Sequence, residues 1–198
     1  DIVGIAELAQ KVVDCYKEVK GKRGVKVTVS VSCFVPKAYT PFQWFAQVPQ
    51  EEFERRQRLL KESIRDRAIS FHYHDARASV LEGALSRGDR RLSAVIETAW
   101  RNGAKFDGWT DQFKDEVWKD AFCRCGVAPE FYSRRTRDLE EVLPWAHTSP
   151  GVSEDFLRRE WQRAQEAALT HDCRRETCTG CGVCPELGCE IVDWRGEA

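Results

Sequence analysis

The sequence predicts an α/β protein in three parts: a strand, helix, strand unit with a parallel sheet over residues 1–74, a mainly α-helical extension over 75–169 and a cysteine-rich metal-binding tail over 170–198. Three observations predict it. Two runs within residues 1–74 alternate apolar with polar residues, and a run of helical period separates them. Every apolar run between residues 75 and 169 has the helical period. Five of the nine cysteines fall beyond residue 172.

The first helix covers residues 2–19, where Ile5, Leu8, Ala9, Val12, Val13, Tyr16 and Val19 recur at helical spacing and Gly21 stops it. A strand follows over Val25 to Val35, with Val25, Val27, Val29 and Val31 alternating with Lys26, Thr28, Ser30 and Ser32. Between Pro36 and Pro49 the prolines forbid regular pairing, yet Tyr39, Phe42, Trp44 and Phe45 are too many large apolar groups for an idle loop. Gln50 to Arg67 is a charged helix with a narrow stripe of Phe53, Leu59, Leu60 and Ile64, and Ile69 to His74 is a short strand. A strand, crossover helix and strand in that order make a parallel pair.

Asp75 is placed to cap a helix bearing Val80, Leu81, Ala84 and Leu85, which Gly88 ends. Arg90 to Asn102 and Asp111 to Cys125 are two more, the latter burying Phe113, Val117, Trp118, Ala121 and Phe122. After an irregular stretch around Pro144 and Trp145, Ser153 caps a last helix through Leu169, with Glu154 and Asp155 complementing its dipole.

The 31 basic and 32 acidic side chains leave a net charge of -1, which excludes a polyelectrolyte surface for nucleic acid. Arg87 to Arg91 and Arg134 to Arg137 are local basic clusters, read as solvated helix ends or as phosphate contacts. No apolar run reaches the roughly 18 to 20 residues of a membrane helix, and no secretory or transit pattern is present. The chain is expected to be cytoplasmic. It begins at Asp1 and contains no methionine, so it is expected to be a piece of a longer protein.

The tail pattern is Cys173-x4-Cys178-x2-Cys181-x2-Cys184-x4-Cys189. Thiolates three residues apart across a tight turn point to one side, which suits an iron-sulfur cluster or a zinc ion. Gly180 and Gly182 free the backbone to aim amide hydrogens at sulfur, so Cys178, Cys181 and Cys184 are the chosen ligands. Cys15 and Cys33 read as small core hydrophobes, and Cys123-x-Cys125 as packing. His72 and His74 read as hydrogen-bonded structural histidines rather than a zinc pair, and His171 is a spare ligand beside the cysteines.

Several strings together resemble the C-terminal portion of a radical SAM protein of the cobalamin-binding type, and more distantly the methylthiotransferases. They are Val29-Ser30-Val31-Ser32-Cys33-Phe34-Val35-Pro36-Lys37 with Thr40-Pro41-Phe42-Gln43-Trp44, Ser86-Arg87-Gly88-Asp89-Arg90-Arg91-Leu92, Phe106-Asp107-Gly108-Trp109, Leu143-Pro144-Trp145, and Asp172-Cys173-Arg174 with Cys178-Thr179-Gly180-Cys181-Gly182-Val183-Cys184. The resemblance implies that residues 1–74 are the last strand-helix units of a partial TIM-like barrel, continued by the helical extension and the tail. It places Phe34, Val35, Pro36, Gln43 and Trp44 near S-adenosylmethionine and the substrate cavity, and ranks Cys173 above Cys189 as fourth tail ligand.

The family's C-x3-C-x2-C motif, which holds the radical-generating cluster, is absent, so this chain is expected to contain no catalytic residue and to be inactive alone. Its implied partners are the rest of the radical SAM domain and a cobalamin-binding domain, with RNA or a ribosomal component as substrate. The alternative is a non-enzymatic, zinc-binding helical module that docks a protein or a nucleic acid.

Overall fold

A computed structural model describes residues 1–21 and 24–190 of the chain. Helix α1 (Ile2–Lys20) ends where Gly21 turns left-handed at φ 61° and its N–H donates to Lys17 O at 2.8 Å. Strands β1 (Val27–Val31) and β2 (Ile69–Tyr73) pair in parallel, Val27 opposite Ile69 through Val31 opposite Tyr73, with α2 (Gln50–Ser63) as the crossover.

Strand β1 is shorter than Val25 to Val35 because β2 offers only five residues to pair with, and a strand is defined by its partner's hydrogen bonds. Helix α2 stops short of Arg67 because Asp66 captures the Ala68 N–H on its carboxylate at 2.8 Å and closes a turn into β2.

The sheet has two unlike faces. Val27, Val29 and Ile69 pack with Ala9 and Val13 of α1 and with Ile64 and Ala68. Thr28, Ser30, Ser70 and His72 on the opposite face are exposed.

Helix α3 (Ala76–Ser86) starts at Asp75, whose carboxylate accepts the N–H groups of Arg77 and Ala78. Helices α4 (Leu92–Arg101), α5 (Asp115–Arg124) and α6 (Pro129–Ser133) follow, and Ala84, Val95, Ala99, Trp118, Phe122 and Tyr132 form their common core. Helix α5 begins later than Asp111 because Trp109 and Phe113 close successive turns on Phe106 O and Trp109 O. Helix α7 (Glu154–Gln165) is capped by Ser153, whose hydroxyl accepts the Phe156 N–H. It ends before Leu169, where Ala167 turns to φ 53°. Helix α8 (Val183–Leu187) lies inside the tail.

A third core joins the chain's two halves: Trp44, from the loop after β1, is fully buried with Leu143 and with Leu157 of α7. Among the described residues no helix is long and apolar enough to cross a membrane.

Candidate functional site

Two regions hold the residues singled out by sequence. The first lies at the carboxyl ends of β1 and β2, the edge at which open parallel sheets receive ligands. There Val35 and Pro36 are buried, while Phe34 is 52% exposed and meets Phe42 edge-on at 5.8 Å between centroids. Gln43 and Trp44 are buried structural members of the loop. Gln43 Oε1 accepts the Tyr39 N–H at 3.0 Å and the Trp145 indole N–H at 2.8 Å, and Trp44 O accepts the Arg137 N–H at 2.9 Å.

Past the end of β2, a cavity of about 360 Å³ is lined by Tyr73, His74, Asp75, Ser79, Glu82 and Asp107, among others. Lys37 pairs with Glu82 of its lining, and Arg77 holds the Asp75 carboxyl below its ordinary range. Cys33 stands nearby, half-buried, and accepts from Gln57 Nε2 at 3.5 Å; burial pushes its thiol up.

His72 and His74 are exposed rather than held inside, because the residues flanking them belong to the open face of the sheet and its end. Cys15 is exposed on α1, a correction to its reading as a core residue, because Ala9 and Val13 take the face of α1 that packs on the sheet. Cys125 is half-buried against the helical core, 3.6 Å from Thr98 Oγ1, and Cys123 is exposed.

The basic clusters are corrected at two positions, while Arg90 and Arg91 are exposed as expected. Arg87 is fully buried and Arg137 is 4% exposed, so neither reaches a phosphate. Arg91 is forked onto Asp89, and Arg135 onto Glu141. Arg87 and Arg137 are held inside the fold by backbone carbonyls and by Glu141, whereas Arg91 and Arg135 are ion-paired at the surface.

The second region is the tail, docked on the start of α7. Ser153 N–H donates to Cys181 O at 2.8 Å, and Arg159 Nη2 donates to Thr179 O and Gly180 O, both at 3.3 Å. Gly180 N–H donates to Cys178 Sγ at 3.4 Å, the amide-to-sulfur bond of a turn that presents a thiolate. Left-handed Gly188 ends α8 and folds the chain back, so that Cys189 N–H donates to Cys184 O at 3.1 Å. The Cys184 thiol is pushed up by partial burial, and further by Cys189, Cys181 and Cys178 beside it. Cys173 belongs to a separate turn, in which Asp172 accepts the N–H groups of Arg174 and Arg175. His171 Nε2 contacts Thr177 O at 2.8 Å.

Among the described residues no three His, Cys, Asp or Glu side chains are grouped so that they could hold a metal ion. Cys178, Cys181 and Cys189 all act on the Cys184 thiol, and metal binding by such thiols requires them to lose their protons. The donor set, all sulfur, fits zinc or an iron-sulfur cluster.

Sequence reasoning missed α6, α8 and the buried role of Arg87. A buried arginine carries no local signal, since its acceptors lie 44 to 48 residues away. Gly182 and Gly188 flanking Val183 to Leu187 were the available signal for α8. A scan against protein-family models, a search of curated proteins and a search of solved structures each found no match.

Proposed function

We propose that this chain is the C-terminal part of a cytoplasmic radical SAM iron-sulfur enzyme that modifies RNA or a ribosomal component, with an additional metal centre in its tail. The observation that carries the reading is the two-stranded parallel sheet covered on one face only. Parallel strands are ordinarily buried on both faces, and two of them do not make a self-sufficient sheet. The exposed polar face of Thr28, Ser30, Ser70 and His72 suits the inside of a barrel whose other strands come from the radical SAM domain.

In the whole protein S-adenosylmethionine, and cobalamin where it takes part, supplies the radical chemistry. This chain's residues shape the rim. Phe34, Val35 and Pro36 lie just beyond β1, and Gln43 and Trp44 anchor the loop that follows. The cavity with His74, Asp75, Glu82 and Asp107 would face the same opening. In the tail, Cys178, Cys181 and Cys184 would hold the metal, with Cys189 or Cys173 completing the set. Cys189 has the better position, beside Cys184.

A specific observation also favours the alternative, a zinc-clipped module: the tail is fastened to α7 by Ser153 and Arg159, as a structural clip would be. Metal and sulfide analysis with a visible spectrum, on chain purified without air, separates the two. About four irons with labile sulfide support the radical-enzyme reading. One zinc and a flat spectrum support the clip, and absence of both metals overturns a metal tail.

A further inference from the structure

Helix α1 carries more apolar surface than its own fold covers. Ala6, Ala9 and Val13 face inward and are buried. Leu8, Val12, Cys15 and Val19 lie on a neighbouring face, where Leu8 is 64%, Val12 49% and Val19 72% exposed and Cys15 is exposed as well. At about 100° per residue the two stripes are centred roughly 120° apart around the helix, so no adjustment of α1 on the sheet covers both. We propose that the second stripe is an interface with a second copy of this chain, the two α1 helices packing antiparallel about a two-fold axis. The inference does not rest on the radical-enzyme reading.

The spacing identifies the occupant as a helix. Leu8, Val12, Cys15 and Val19 follow one another at intervals of four, three and four residues, which is the seam spacing of a heptad repeat. A seam of that kind is filled by the knobs of a facing helix.

Charge identifies that helix as another α1. Lys11 and Glu18 flank one side of the stripe, both exposed, and among the described residues neither is ion-paired. Further round the helix Lys17 is engaged by Asp14 and Asp66. Two opposite charges on one flank make the surface self-complementary when the second copy runs the other way. With Leu8 opposite Val19 and Val12 opposite Cys15, each Lys11 lies within about 3 Å, measured along the axis, of Glu18 of the second copy. A parallel pair would set Lys11 against the other flank, where Tyr16 stands, and would gain no such charge pair. The overlap is about 14 residues, or roughly 20 Å of helix, so the interface is small and the dimer weak and reversible.

The test is sedimentation equilibrium of the 198-residue chain, with reductant and a chelator present so that neither its nine cysteines nor a metal bridges two copies. The unaltered chain is expected to show a reversible monomer–dimer equilibrium, which Leu8→Gln weakens by about tenfold. Lys11→Glu is expected to weaken it about fivefold, since like charges then meet at both symmetry-related contacts. Lys11→Glu combined with Glu18→Lys is expected to return it to within about twofold of the unaltered chain, the pairs being restored with their signs exchanged. Leu8, Lys11 and Glu18 are all exposed, so these changes leave the core intact. A chain that stays monomeric throughout assigns the stripe to a helix of different sequence and overturns the proposal. A dimer that Leu8→Gln leaves intact forms through another surface, and a combined charge change that weakens it as much as the single one rules out the antiparallel pairing; either result overturns the proposal too.

Discussion

Arg87 Nη1 donates to the backbone carbonyl of Gln43 at 2.9 Å, and this bond fastens the helical extension to the loop that leaves β1. The same guanidinium donates to Tyr132 O at 2.9 Å and to Arg135 O at 3.2 Å, while Arg137 reaches back to Arg87 O at 2.7 Å. Burial, with Arg137 and Arg135 beside it, pushes Arg87 down to about 10, so it stays a cation at neutral pH. One planar group therefore ties its own turn to two separated segments, at Gln43 and at Tyr132 to Arg135, which a single ammonium cannot reproduce.

Arg87→Met is expected to destabilise the chain by about 3 kcal/mol, since it strands three carbonyl groups that the guanidinium now satisfies. Arg87→Lys should recover less than half of that loss. Urea unfolding of the three proteins measures both, and a cost below about 1 kcal/mol for Arg87→Met would show that the clamp contributes little.

Asp89 ties the same region together through its carboxylate, which accepts the Tyr132 hydroxyl at 3.0 Å and the Arg91 fork. Arg91 holds its carboxyl well below the ordinary value of 3.8. A depressed carboxyl contributes stability that is fully present above the unfolded value and is lost as pH falls through the folded one. The urea midpoint of the native chain is therefore expected to fall between pH 5 and pH 3 by more than that of Asp89→Asn. Equal falls would exclude Asp89 from the acid limb.

Gly83, inside α3, faces the buried Gln47 side chain: an added Cβ would stand 2.3 Å from Gln47 Oε1. Gln47 is held in place by its bond to Ser79 O at 2.8 Å, so it yields at a cost. Gly83→Ala should destabilise by about 1 to 3 kcal/mol, as overpacking does. In a Gln47→Ala background the sign should reverse, to a gain of up to about 1 kcal/mol from helix propensity. A double-mutant cycle reads the difference directly.

Gly182 is left-handed at φ 92°, and a Cβ there would approach Ser153 Cβ at 3.3 Å and Gly151 O at 3.4 Å. Gly182→Ala is expected to loosen the tail from α7. Hydrogen exchange of the Ser153 amide, which now donates to Cys181 O, should quicken about tenfold, the equivalent of roughly 1.4 kcal/mol of local opening. Unchanged exchange would mean that the tail docks without this close approach.

The parts of the fold legible in the sequence are those set by local periodicity. The valine alternation of β1, the stripes of α1, α3, α4 and α5, the caps Asp75 and Ser153, and the parallel pairing implied by the crossover helix all follow from residues a few positions apart. Element ends were less legible because they depend on partners: β1 is as long as β2 allows. In the tail, the spacing singled out the cysteines and the glycines, but not which thiols become neighbours.

The sequence by itself determined a parallel α/β unit, a helical continuation and a thiol-rich tail, because hydrophobic period, capping residues and cysteine spacing act over one or two turns of chain. Only the tertiary structure decided that Arg87 and Arg137 are interior clamps rather than surface charges, that Gln43 and Trp44 are buried anchors, and that Cys189 rather than Cys173 returns to Cys184. The physical reason is that desolvation and hydrogen bonding to distant carbonyls depend on what surrounds a side chain in space, and an arginine looks the same in sequence whether water or backbone is its partner.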